Sequence, residues 1–252
     1  IRNGIPGIQC NDQSNNTSPT IQNCIITENG DQGVISDGGN MKLIDCIISN
    51  NIGSGCRLLR GYKEIRGCII KNNSGHGLDL YEESASVINC LITNNSGDGI
   101  YLRYNYPLNL INSTIANNGA NGLSINEGGR PFIRNTIIYG HNNRQIHFGD
   151  SGVMEVDIDF SMIESEQSGG IYFENTLMGS LLWGENNISD DPLFINDSEG
   201  VYSISDYSPC IGVGTLDGAP ETDIEGNPRP NPEDSNPDVG AYENVRSEPL
   251  PH

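Results

Sequence analysis

Aromatic residues make up only 6% of this 252-residue chain, with a single Trp. No run of 18 apolar residues occurs, so no segment reads as a helical membrane span. Basic residues are scarce: 13 Lys and Arg stand against 33 Asp and Glu, a formal net charge of -20. That balance argues against nucleic acid as a partner, because phosphate binding needs a basic face, and against anionic membranes. It leaves cations and neutral sugars open. Hydrophobic residues are only 35% of the chain. Unpatterned, such a composition would signal disorder, but here the apolar residues recur at fixed spacing. The chain holds 32 Asn, 32 Ile and 31 Gly. That mixture suits short strands joined by tight turns and is wrong for a helical bundle. There is no initiating Met and no signal peptide, so the sequence reads as a mature form or an excised piece of something larger.

What is present is a repeat. Asn23-Cys24-Ile25-Ile26 returns as Asp45-Cys46-Ile47-Ile48, Gly67-Cys68-Ile69-Ile70 and Asn89-Cys90-Leu91-Ile92. Successive cysteines lie 22 residues apart. The pattern drifts on through Asn112-Ser113-Thr114-Ile115 and Asn135-Thr136-Ile137-Ile138. A second motif, Gly-apolar-x-apolar, follows each copy, as at Gly55-Cys56-Arg57-Leu58, Gly77-Leu78-Asp79-Leu80 and Gly99-Ile100-Tyr101-Leu102. Asn pairs separate the two motifs. Alternation over three to five positions between Gly or Asn turns reads as strands. One coil per repeat, with two or three strands stacked in parallel about 4.8 Å apart, satisfies the pattern. Residues 1–175 thereby resemble the right-handed parallel β-helix family. The resemblance implies an all-β solenoid of about eight coils of 22–25 residues over 1–184.

Parity assigns the faces. Ile26, Ile48, Ile70, Ile92, Ile115 and Ile138 point inward, and Cys24, Cys46, Cys68 and Cys90 share their parity. The thiol column reads as small buried packing, with metal binding and rung-to-rung disulfides as the other readings. The neighbours Ile25, Ile47, Ile69 and Leu91 then form an outward aliphatic stripe. It must be covered by another segment or used for self-association. The Asn pairs read as left-handed turns and stacked amides.

From about Glu185 the repeat fades and Pro, Asp and Gly rise. Asp191-Pro192-Leu193-Phe194, Ser208-Pro209-Cys210-Ile211-Gly212, Asp223-Ile224-Glu225-Gly226-Asn227-Pro228-Arg229-Pro230 and Asp238-Val239-Gly240-Ala241-Tyr242-Glu243 follow. This order is similar to the closing module found after many bacterial secreted β-helices. It implies an irregular capping segment over 185–246, a tail or linker at 247–252, and an extracellular or cell-surface location. Gly212-Val213-Gly214 departs from that pattern, which carries Asp there. A capping role fits, because a solenoid end exposes strand edges. Arg229 with Asp223 or Asp238 is the expected internal ion pair.

Gly75-His76-Gly77 invites comparison with polygalacturonases, but the repeat slot explains it more cheaply, since Gly53-Ser54-Gly55 and Gly97-Asp98-Gly99 fill the same place. More telling is the outward position of the second motif: Arg57, Asp79, Tyr101, Ser124, His147 and Tyr172. A flanking column brings Arg60, Glu82, Arg103, Tyr104, Glu127 and Asp150. Arg57, Asp79, Tyr101, Arg103, Tyr104 and His147 form the expected ligand face, with Tyr rings for sugars and charged groups for hydroxyls. The competing reading is a solvated face with cross-coil pairs Arg57–Asp79 and Arg60–Glu82. Function divides likewise. A non-catalytic surface β-helix binding glycan or a partner protein is favoured, because no lyase motif is intact. The alternative is a calcium-assisted polysaccharide lyase or glycoside hydrolase. There Tyr101, Arg103, Tyr104 or His147 would act as base, and Asp79, Glu82, Glu127 and Asp150 would hold Ca²⁺.

Overall fold

Left-handed corners at fixed intervals turn this sequence into a coil. In each repeat the residue before the thiol position has positive φ: Asn23, Asp45, Gly67, Asn89, Asn112 and Asn135. So has the first Asn of each pair at Asn50, Asn72, Asn94 and Asn117. Asn and Gly tolerate that region best. The result, in a computed structural model that describes residues 1–11, 17–104, 107–164, 170–175 and 179–251 and omits the Glu83 side chain, is a parallel β-solenoid.

One face is a seven-stranded, wholly parallel sheet: Ile25–Thr27, Ile47–Ser49, Ile69–Lys71, Leu91–Thr93, Thr114–Ala116, Ile137–Tyr139 and Met162–Ile163. Its registry pairs Ile26, Ile48, Ile70, Ile92, Ile115 and Ile138 in one column, as the repeat predicts. A larger parallel sheet carries the second motif, and its strands Cys56–Arg66 and Leu78–Ile88 run unbroken for 11 residues each. Among the described residues the one helical element is the 3-10 turn Asp197–Glu199. The solenoid makes about seven turns rather than eight. Ile188 reaches Met162 through an isolated bridge alone, so the next coil does not close and the chain leaves along the flank.

The interior is built from columns. The Ile column is fully buried, as are Cys46, Cys68 and Cys90. Each of these thiols donates to the carbonyl two residues back, Ile44, Arg66 and Ile88, at 3.2–3.3 Å. Ser113 and Thr136 keep the same bond with their hydroxyls. Cys24, at the open start of the stack, is half-exposed. The amides of Asn29, Asn51, Asn73, Asn95 and Asn118 form a ladder, each Nδ2 donating to the next Oδ1 at 2.8–3.0 Å. Gly77 and Gly99 are required by contact. A Cβ there would lie 2.6–2.7 Å from the carbonyl oxygen of the next coil.

The C-terminal segment lies along the flank, not across an end. Phe194, Tyr202, Ile224 and Tyr242 pack on Ile69, Leu91 and Ala116. Ile204, Cys210, Ile211 and Val239 pack on Ile137 and Met162. Asn135 Nδ2 donates to the Thr215 carbonyl at 2.7 Å, and Ala241 N–H to Thr114 Oγ1 at 3.0 Å. The expected cap is therefore a lateral strap over the aliphatic stripe. It shields Ile69 and Leu91, so self-association through the whole stripe does not fit; Ile25 stays 59% exposed and Ile47 half-buried.

Arg229 anchors the strap, with a different partner from either expected one. Its Nε lies 2.7 Å from Glu243 Oε2, and both side chains are fully buried. Its other nitrogens donate to Asn89 Oδ1 and the Gly240 carbonyl. Asp223 is occupied by the N–H groups of Glu225, Asn227 and Glu243, and Asp238 by those of Gly212 and Asn244. Burial and the Glu243 charge push the Asp238 carboxyl up to about 7.

Candidate functional site

The outward residues of the second motif line up as the spacing requires. Arg57, Asp79, Tyr101, Ser124, His147 and Tyr172 face one another across consecutive parallel strands. Leu59, Tyr81, Arg103 and Asn126 form the column two residues on. Arg60, Glu82, Tyr104 and Glu127 follow at a left-handed corner, all with positive φ. Asp150 is exposed in the turn after Ile146–Phe148.

Contacts along this face differ in part from expectation. Arg57 Nε lies 3.6 Å from Asp79 Oδ2, as the cross-coil reading supposes. Arg60 turns the other way, to Asp37 at 2.5 Å, instead of to Glu82. Asp37 sits in register with Leu59 and so lies beside the Arg60 stem. The Tyr101 ring is not a bare platform. His76 stacks on it with centroids 4.8 Å apart and planes 10° from parallel. The Arg103 guanidinium lies over the same ring at 4.6 Å and over Tyr81 at 5.5 Å. Tyr81 meets Tyr104 edge-on at 4.7 Å. Tyr104 keeps 36% exposure and Tyr172 42%.

His76 thus belongs to the site through stacking. Its Nδ1 accepts from the Asp98 N–H at 3.0 Å. Burial pushes the Asp98 carboxyl up, but the neighbouring His76 ring and the hydrogen bonds from Asn121 outweigh it and hold it below its ordinary value. Two coils on, the His147 ring lies nearly parallel to Tyr172 at 5.8 Å, and its Nε2 is 3.1 Å from Glu174 Oε1. The Arg144 guanidinium lies 4.8 Å over Tyr172. Asn121, Asn142 and Asn143 complete an open hollow there. The expected ligand face leaves out His76, which the repeat slot explains, and Tyr81, which stands in the flanking column; Arg144 is not singled out. The available signal was their place one strand-end or one column away from the outward Tyr positions.

Among the described residues two buried polar atoms on this face lack a partner: Asp79 Oδ1 and Arg103 Nε. The four carboxylates expected to hold Ca²⁺ do not converge. Among the described residues no three His, Cys, Asp or Glu side chains are grouped to hold a metal ion. Tyr104 stands between Glu82 and Glu127 in the corner row, and Asp79 faces Arg57. Of the expected bases, Tyr104 is held above its ordinary phenol range by hydrogen bonds with Tyr81 and Glu127. That is the wrong direction for proton abstraction near neutrality.

The crystal structure of pectate lyase Pel9A superposes with a TM-score of 0.54, covering 87% of this chain and 69% of that one at 15% identity. At that identity the likeness is one of fold. No curated protein matches the sequence. Residues 32–188, more than half of the chain, match the family described as the right handed beta helix region, and the chain belongs to that family.

Proposed function

We propose that the protein is a non-catalytic β-helix that binds glycan along the outer face bearing Tyr101, Tyr104, His147 and Tyr172. One observation carries the reading: two exposed Tyr rings, Tyr172 in the outward column and Tyr104 at the corner three residues beyond that column, flank the same polar columns. Their coils are three rungs apart, about 14 Å at strand spacing, a length suited to a short run of sugar units. Tyr offers flat apolar area with a polar tip, and convergent amides and charged groups supply orientation. The Asn121, Asn142 and Asn143 hollow lies at one end of that run. A location outside the cell or on its surface is part of this proposal. It rests on the C-terminal order that resembles secreted β-helices.

A glycan array followed by titration of the retained sugar tests the reading. Tyr104→Ala and Tyr172→Ala should each weaken binding at least tenfold, about 1.4 kcal/mol, at unchanged melting temperature. Unchanged affinity in both variants moves the site elsewhere, and retention of no glycan leaves a protein partner as the occupant. The second reading, a polysaccharide lyase or glycoside hydrolase, has on its side the fold shared with a pectate lyase. Release of unsaturated product from a uronate polymer would establish it.

A further inference from the structure

The charge arrangement of this face bears on which sugar it takes, given that it takes one. Its bases are already engaged. Arg57 faces Asp79, Arg60 faces Asp37, and His147 faces Glu174. Arg103 is stacked over Tyr81 and Tyr101, and Arg144 over Tyr172. Its acids are in excess: among the described residues no basic side chain forms an ion pair with Glu82, Glu127 or Asp150. A face of this sign, on a chain of net charge -20, repels a polyanion along the whole length of contact.

The unpartnered atoms point the same way. Asp79 Oδ1 is an acceptor and needs a donor; Arg103 Nε is a donor and needs an acceptor. A sugar hydroxyl supplies either role, and two hydroxyls on one ring supply both. A uronate unit has ring hydroxyls too, but its carboxylate only accepts and sets a like charge beside Asp79. Buried groups without partners cost stability until something pairs them. Arg57 is half-exposed and meets Asp79 at Oδ2, 3.6 Å away, so it leaves Oδ1 without a donor.

We infer that this face selects neutral sugar chains and rejects uronate polymers, with Asp79 and Arg103 pairing sugar hydroxyls and Tyr104 and Tyr172 taking ring faces. The inference rests on the glycan reading above. It also separates this protein from the substrate named for its structural neighbour, since pectate is a polyanion.

The test is titration of the whole chain with neutral gluco-, xylo- and manno-hexasaccharides and with hexagalacturonate, at low and high salt, with and without added calcium. At least one neutral hexamer should bind tenfold or more tighter than hexagalacturonate, with calcium making no difference. Asp79→Asn should weaken the neutral ligand at least fivefold. The paired variant Glu82→Gln/Asp150→Asn, which leaves the Glu127–Tyr104 hydrogen bond in place, should narrow the preference over uronate without weakening neutral binding. Hexagalacturonate binding as tightly as the neutral chains would overturn the selectivity and leave the glycan reading standing. Binding by neither class would remove both readings together.

Discussion

The imidazole of His141 sits in the asparagine ladder where the next amide belongs: its Nδ1 accepts from the Asn118 N–H at 3.1 Å, as Asn118 Oδ1 accepts from Asn95 N–H at 3.0 Å. Nε2 then carries the proton toward the Ile115 carbonyl at 3.2 Å. The neutral ring is fully satisfied, and a second proton would break the bond from Asn118.

Burial accordingly pushes His141 down to about 4 from 6.5. A depressed imidazole contributes stability that is whole above the ordinary value and is lost as pH falls from about 6.5 to 4, roughly 3 kcal/mol. Asp238, raised to about 7, has the opposite sign: its stabilisation is whole near pH 4 and is lost as pH rises through 7. His141→Asn should continue the ladder and abolish the acid-side loss, leaving a decline with rising pH. Urea midpoints between pH 4 and 8 read this directly. A variant that keeps the wild-type acid loss would clear His141 of it.

The aliphatic stripe should be graded along the stack. Leu91 is 3% exposed beneath Tyr202, whereas Ile25 is 59% exposed. Leu91→Asp loses about 1.5–3 kcal/mol of burial and adds a buried carboxylate, so it should cost about 3 kcal/mol or more. Ile25→Asp should stay within about 0.5 kcal/mol. Equal costs in denaturant titrations would contradict the strap.

Thiol titration of the native protein should reveal two reactive cysteines of the seven, Cys10 and Cys24, with the other five appearing on denaturation. Hydrogen bonding with Cys68 and burial push the Cys46 thiol up, and burial does the same at Cys56. A protonated, inaccessible thiol is a poor nucleophile. Rapid labelling of Cys68 or Cys90 would mean that the stack opens.

Lys63 is a fully buried lysine, with its Nζ donating to the carbonyls of Gly39 at 2.9 Å, Leu59 at 3.4 Å and Arg60. It closes the corner where Cys56–Arg66 runs on without a break. Lys63→Met keeps the length and removes the donors, and should cost about 2–4 kcal/mol. A melting temperature within a degree or two of wild type would show that the corner finds other donors.

The repeat was legible because each coil places the same residue type at the same point of contact. Cys46, Cys68 and Cys90, or Asn51, Asn73 and Asn95, state their environment three times over. What the sequence hid occurs once. Lys63 and His141 break the repeat's own vocabulary, so nothing in the spacing flags them. Arg229 has three acids nearby, and only the fold shows that Asp223 and Asp238 are occupied by backbone N–H groups. The outward columns on the candidate face were legible from parity. That Tyr101 is more covered than Tyr104 and Tyr172 was not, because it depends on the rotamers of His76 and Arg103.

A stack of coils ordinarily behaves like a zipper, each rung held by its two neighbours and free to fray from either end. The strap changes this along part of its length. By touching the coils of Ile69, Leu91, Thr114, Ile137 and Met162 at once, it makes them open together or not at all. The coils of Ile25 and Ile47 lie beyond its main contacts. Amide hydrogen exchange should therefore show a step: graded, shallow protection over the first two coils, then one uniform, deep plateau across those the strap spans.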